Sequence, residues 1–224
     1  MTSLPLAPQA VVFDCDGLLV DTEVCWTRAE TKIFAAHGHD FGHEQKALVI
    51  GRTLASAGEA MADYFGRPAA GPELAAELFE LVRQELAGGA EALPGAAELV
   101  KACARALPVG VASNSPRELL DTALTSAGLA DFFPVSFAAD EVADAKPAPD
   151  LYLKACDALG AAPEASVAFE DSATGIASAR AAGLFVAVVP SLPGSELDHD
   201  WLGGSLAEPE LVRWAAGLGY DIAL

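Results

Sequence analysis

The sequence predicts an α/β fold, a doubly wound parallel sheet carrying one small inserted helical unit, and three observations carry that expectation. Short apolar runs stop abruptly at a polar residue, at 10–13 (AVVF), 108–112 (PVGVA), 166–169 (SVAF) and 185–189 (FVAVV). Runs without polar alternation suit strands of a parallel sheet covered on both faces. Between and after them lie amphipathic stretches of helical period, and strand alternating with helix is the doubly wound pattern. One region, 22–89, breaks the alternation with helix-like sequence and no convincing strand.

Taken in chain order, residues 10–13 form the first predicted strand, closed by Asp14. The insertion follows, with helical patterns at 26–38, 53–66 and 73–89, and Gly88-Gly89 and Pro94-Gly95 mark the return to the sheet. A helix over 95–107 leads to the strand at 108–112, which ends at Ser113, and another helix spans 117–128. The helix at 149–160 precedes the strand at 166–169, which ends at Glu170. A last helix over 173–183 leads to the strand at 185–189, which ends at Pro190. Gly128, Gly160 and Gly183 serve as helix stops, because glycine takes the left-handed conformation that closes a helix. The expected units are a Rossmann-like core of residues 1–21 and 89–224, with residues 22–88 as the helical insertion.

Composition narrows the function. The 224 residues suffice for one core and a modest insertion, and 52% apolar against 20% charged residues favours a globule. A formal net charge of −19 repels nucleic acid and anionic membrane, so neither is an expected partner. No apolar run reaches membrane-spanning length and the first residues lack a signal-peptide pattern, so a soluble cytoplasmic protein is expected, monomeric or weakly dimeric. Cys15, Cys25, Cys103 and Cys156 form no C-x-x-C pair and read as reduced, mostly buried small residues.

The chemistry gathers at the strand ends, where ligands bind in open α/β sheets. Asp14 and Asp16 stand in DCDG directly after the first strand, and Ser113 and Asn114 stand in SNS after the second. Lys146 lies in KPAPD, a proline-flanked loop before a helix, and Glu170 and Asp171 stand in EDS after a third strand. Each motif alone reads equally as a turn or a helix cap. Together they bring carboxylates, hydroxyls and one ammonium to one sheet edge. Mg²⁺ accepts such oxygen ligands, and a metal plus Lys146 would offset the repulsion between a phosphate and a carboxylate.

The ordered set DxDG, Ser-Asn, K-P-x-P-D and E-D-S-x-x-G resembles the haloacid dehalogenase-like phosphohydrolases. The resemblance is closest to the branch with β-phosphoglucomutase and small sugar-phosphate phosphatases. It implies that 22–88 is a mobile cap. It implies that Asp14 is a nucleophile forming an aspartyl-phosphate, and that Asp16 is a general acid then base which lends its carbonyl to Mg²⁺. By the same resemblance Ser113 and Asn114 hold the phosphoryl group, Lys146 bridges it to Asp14, and Glu170 and Asp171 complete a metal site with Asp14 and Asp16. Cys15 fills the variable position between the aspartates, and Ala145 replaces a frequent glycine.

In the cap, Glu23, Trp26 and Arg52 are expected to meet the substrate, a small phosphorylated metabolite of sugar or polyol type. Trp26 falls where mutase relatives place a histidine, which favours hydrolysis over β-phosphoglucomutase-type transfer. That transfer, and a non-catalytic binding protein on the same scaffold, are the alternatives. His37, His39 and His43 read as an inter-helix loop, not as a metal site.

Overall fold

The computed structural model describes residues 3–191 and 197–219. Its centre is a parallel sheet of six strands, β1 (Val11–Phe13), β2 (Val109–Ala112), β3 (Val135–Phe137), β4 (Val167–Glu170), β5 (Phe185–Val188) and β6 (Trp201–Leu202), in the order β3-β2-β1-β4-β5-β6. The chain winds outward in both directions from β1, the doubly wound arrangement that the strand–helix alternation predicts. β3 and β6 went unpredicted. β3 lies half-buried at one edge and β6 has two residues, so neither shows the long apolar run that marks an inner strand.

Alternate residues of each strand face opposite layers. Val11 and Phe13 of β1, Val109 and Val111 of β2, and Val167 and Phe169 of β4 pack on one face. They meet helices α5 (Ala96–Ala106), α6 (Arg117–Ser126) and α9 (Pro209–Gly217). Val12, Ala112, Ala168, Val186 and Val188 pack on the other face, with α7 (Asp150–Leu159) and α8 (Ala173–Ala182). Both faces are therefore dry, which is why the strands carry no polar alternation. Phe13 and Phe169 stack with ring centres 5.2 Å apart, and Trp214 of α9 closes that cluster while donating its indole N–H to the Pro5 carbonyl. All four cysteines are free and buried.

Between β1 and β2 the chain forms α1 (Glu23–Ala36), α2 (His43–Val49), α3 (Leu54–Tyr64) and α4 (Gly71–Leu86). Ile33, Phe34, Met61, Leu74, Leu78 and Val82 are fully buried among them. Gly58 lets α3 cross α4 closely, since a Cβ there would lie 2.4 Å from the Gly71 carbonyl oxygen. The short α2 was not anticipated, because its seven residues give little periodicity to read. His37 and His39 stack on Phe65, with ring centres 5.0 and 4.8 Å away, and His37 also meets Glu77. His37 and His39 thus serve packing, and exposed His43 opens α2 instead of lying in a loop. Among the described residues the one group of three potential metal ligands lies elsewhere. No described helix is long and apolar enough to cross a membrane.

Candidate active site

The carboxyl ends of β1, β2 and β4 converge on one spot. Asp14 continues the β1 ladder by one residue, its N–H bonding to the Phe169 carbonyl, so its carboxylate leaves the sheet at a fixed point. The chain then turns at Gly17, with φ of +79°, where a Cβ would come within 2.8 Å of the Asp171 carboxylate. Glycine is needed there for conformation and for space.

Lys146 reaches this point from the loop before α7. Its Nζ lies 2.6 Å from Asp14 Oδ1 and 2.5 Å from Glu170 Oε1, with the side chain 2% exposed. Burial alone would push this ammonium down, but Asp14 and Glu170 more than offset it, and its pKa is raised. Glu170 is fully buried, and its Oε1 also accepts from the Tyr152 hydroxyl at 2.7 Å. Its Oε2 accepts from the Asp171 N–H at 3.2 Å and from Ser172. Gly175 makes room for it, since a Cβ there would lie 1.9 Å from Oε1.

Asp14, Glu170 and Asp171 offer oxygens within 4.8 Å of one another, all buried. Burial first, then the neighbouring carboxylates, raises Asp14 well above the ordinary carboxylate range, while Lys146 pulls the other way. The same causes, led by burial and then Glu170, push Asp171 up to about 8. Three buried carboxylates facing one ammonium leave excess negative charge, which is the donor set a hard divalent cation takes.

A pH dependence follows. A folded-state pKa above the unfolded value means that the native protein holds the proton more tightly. The associated stability is present below about pH 4 and is lost as pH rises towards about 8. Metal-free protein should therefore melt several degrees lower at pH 8 than at pH 6, at about 2–4 °C per kcal/mol. Asp171→Asn should flatten that slope, and Mg²⁺ should raise the melting temperature most at pH 8. An unchanged slope in Asp171→Asn would assign the effect to the −19 net charge instead.

Asp16 lines the same cavity as Asp14, and its carboxylate accepts four hydrogen bonds. Thr22 Oγ1 lies 2.7 Å and Trp26 Nε1 3.4 Å from its Oδ1, and the Ser113 and Ser115 hydroxyls lie 3.1 and 2.9 Å from its Oδ2. Ser113 also accepts the Ser115 N–H.

Asn114, expected from the sequence to hold the phosphoryl group, lines the cavity above these carboxylates, and its side chain is bonded within the protein. Its Nδ2 donates to the carbonyls of Gly51 and Lys146, both at 3.1 Å, and its Oδ1 accepts the Lys146 N–H at 2.9 Å. With both amide hydrogens engaged, the side chain fastens the lysine loop and ties it to the α2–α3 turn. What remains for an anion at this position is the Asn114 backbone N–H, which has no partner among the described residues.

Over the carboxylates lies a cavity whose far wall comes from α1 to α4. Glu23, Trp26 and Arg52 all line it. Arg52 has no ion-pair partner among the described residues. The sequence reading missed Glu30 and Lys46, which also line the cavity, and Tyr152, whose hydroxyl meets Glu170.

Carboxylates of two strand ends around a buried lysine, on a doubly wound sheet and beneath a cavity, define a hydrolase active site of the phosphate-ester class. The chain belongs to the haloacid dehalogenase-like hydrolases: that family's model matches residues 8–183. It is a phosphoric monoester hydrolase. It is 39% identical to Protein CbbY of Rhodobacter capsulatus over 195 residues, 82% of this chain and 86% of that one. It is 33% identical to Hexitol phosphatase B of Escherichia coli K12, covering 84% and 86% of the two chains. A solved structure of mutant CbbY from Rhodobacter sphaeroides, in complex with xylulose-1,5-bisphosphate, superposes with a TM-score of 0.75. The identity there is 28%, over 90% of this chain and 96% of that one.

Proposed function

We propose that this enzyme is a Mg²⁺-dependent phosphatase that hydrolyses a small sugar or polyol phosphate through an aspartyl-phosphate on Asp14. The observation that carries this reading is the placement of Asp14, 2.6 Å from a buried lysine, beside Asp171 and facing the cavity. Lys146 binds Oδ1 of Asp14, so Oδ2 is the oxygen that attacks phosphorus. The Asp14–phosphorus bond forms as the ester P–O bond breaks, and the departing oxygen takes a proton from Asp16. Water then attacks phosphorus, Asp16 takes its proton, and the bond to Asp14 breaks to release phosphate.

Asp16 must give up some of these bonds for this, since four donors now hold its carboxylate. Its release from Thr22 and Trp26, at the start of the helical segment, links proton transfer to the placement of that segment. Residues 22–88 act as a cap, with residues 1–21 and 89–224 as the core, and hinging lies at Thr22 and Gly88-Gly89. The segment from 220 to 224 falls outside the described residues. Asn114 grips the Gly51 carbonyl when the cap is down, which brings Arg52 over the substrate.

Asp14 and Asp171 would hold Mg²⁺ directly, with the Asp16 carbonyl as a further ligand and Glu170 within reach. The Glu170 oxygens already accept from Lys146, Tyr152 and Asp171, so it mainly aims its neighbours. When bound, the metal supplies positive charge for the transferring phosphoryl oxygens. The enzyme works in the cytoplasm as a monomer or weak dimer.

Hydrolysis is favoured over mutase chemistry because Trp26 presents only a donor N–H and cannot take a proton from a sugar hydroxyl. The test is incubation with β-glucose 1-phosphate, Mg²⁺ and a trace of glucose 1,6-bisphosphate. Free phosphate without glucose 6-phosphate is expected. Glucose 6-phosphate forming faster than free phosphate would reverse the reading.

A further inference from the structure

Lys46 of α2 lies in the roof of the cavity between two carboxylates of α1. Its Nζ is 2.9 Å from Glu23 Oε2 and 2.8 Å from Glu30 Oε2. Glu23 and Glu30 are seven residues apart, two turns of one helix, and so share the face turned to the cavity. The Glu30 side chain is 3% exposed and that of Lys46 14%, beside Val49, Ala57 and Leu78.

A structural ion pair would need one carboxylate. Glu23, half-buried at the cavity wall, is a second carboxylate on the same ammonium. Burial raises the Glu30 carboxyl, with Lys46 opposing that effect. The remaining oxygen of each glutamate has no donor among the described residues, and Lys46 keeps one N–H free. The roof therefore offers two acceptors and a donor side by side, which is a pattern for vicinal hydroxyls.

It offers no spare positive charge. Glu23 and Glu30 cancel Lys46 and Arg52, so a second phosphate would enter a neutral roof facing a floor of three aspartates, Asp14, Asp16 and Asp171, around one Lys146, in a chain of net charge −19.

We propose that the Glu23–Lys46–Glu30 cluster recognises the hydroxyls of an uncharged polyol or sugar leaving group and rejects substrates bearing a second phosphate. This rests on the phosphatase reading and narrows it: the substrate is a monophosphate, unlike the bisphosphate in the CbbY complex.

The test compares kcat/KM with Mg²⁺ for p-nitrophenyl phosphate, sorbitol 6-phosphate and fructose 1,6-bisphosphate. The wild type should favour the sorbitol ester over the bisphosphate by about tenfold or more. Glu30→Gln makes the roof more positive and should move that ratio about tenfold towards the bisphosphate, whereas Lys46→Gln should move it the other way. Melting curves check folding, and Glu23→Gln stands in for Glu30→Gln if the latter does not fold. A merely structural cluster would lower both substrates alike, and ratios unchanged or moving in one direction overturn the proposal. Hydrolysis of the nitrophenyl ester with equal or better use of the bisphosphate overturns it and leaves the phosphatase reading standing. No phosphate release from any of the three esters overturns the phosphatase reading, and this inference with it.

Discussion

Asp14→Asn protein is expected to lose phosphate release by about a thousandfold or more while keeping its fold. The change removes the attacking oxygen's charge and basicity at nearly constant shape. The effect on stability should have the opposite sign from the effect on activity. Asp14 is one of three clustered buried carboxylates, and burial together with Glu170 and Asp171 works against its ionised form. Neutralising it relieves that repulsion, so the metal-free Asp14→Asn variant should melt no lower than wild type near pH 8. Single-turnover assays with a good leaving group are the sensitive measurement, because they separate chemistry from product release. Release above about a thousandth of the wild-type rate would move the nucleophile elsewhere. A fall in stability of several kcal/mol would mean that the Lys146–Asp14 pair, at 2.6 Å, outweighs the carboxylate repulsion.

The parts of this molecule that were legible in the sequence are those written in short stretches of chain. The inner strands announce themselves because burial on both faces leaves no polar residue in runs such as 10–13, and Asp14, Ser113 and Asp171 each follow a strand directly. The edge strands β3 and β6 have no such constraint, and α2 is too short for periodicity to accumulate.

Side-chain partnerships were harder to read, because they join residues distant in sequence. Tyr152 meets Glu170 across 18 positions, Lys46 meets Glu30 across 16, and Asn114 meets Gly51 across 63. Nothing near Asn114 in the chain says that its amide hydrogens are already engaged, so its type pointed to phosphate while its contacts point to the lysine loop. Lys46 is the converse case. Its local sequence shows no more than a polar stretch between helices, and only the fold sets it in the cavity beside Glu23 and Glu30.

Lys146→Met should be the most damaging single change to stability, and its cost should depend on pH. The methionine fills similar volume, but Asp14 and Glu170 lose their shared ammonium in a site where the lysine side chain is 2% exposed. Removing one member of a buried ion pair costs about 3–5 kcal/mol, because the partners keep their burial without compensation. Here the partners have a second way out. With Asp14 raised and Asp171 pushed up to about 8, protonation can neutralise the cluster when pH falls. The deficit relative to wild type should therefore be largest at pH 8 and shrink towards pH 5, where the carboxyls hold protons in the folded state. Denaturant titrations of both proteins in chelator, at those two pH values, measure it. Mg²⁺ should restore part of the lost stability and little of the activity, which is expected to fall about a thousandfold, since the metal cannot replace the Lys146 bond to Oδ1 that aims Oδ2 of Asp14 at phosphorus. A deficit equal at both pH values would show that Lys146 serves its loop, through Asn114, more than it serves the charge of the cluster.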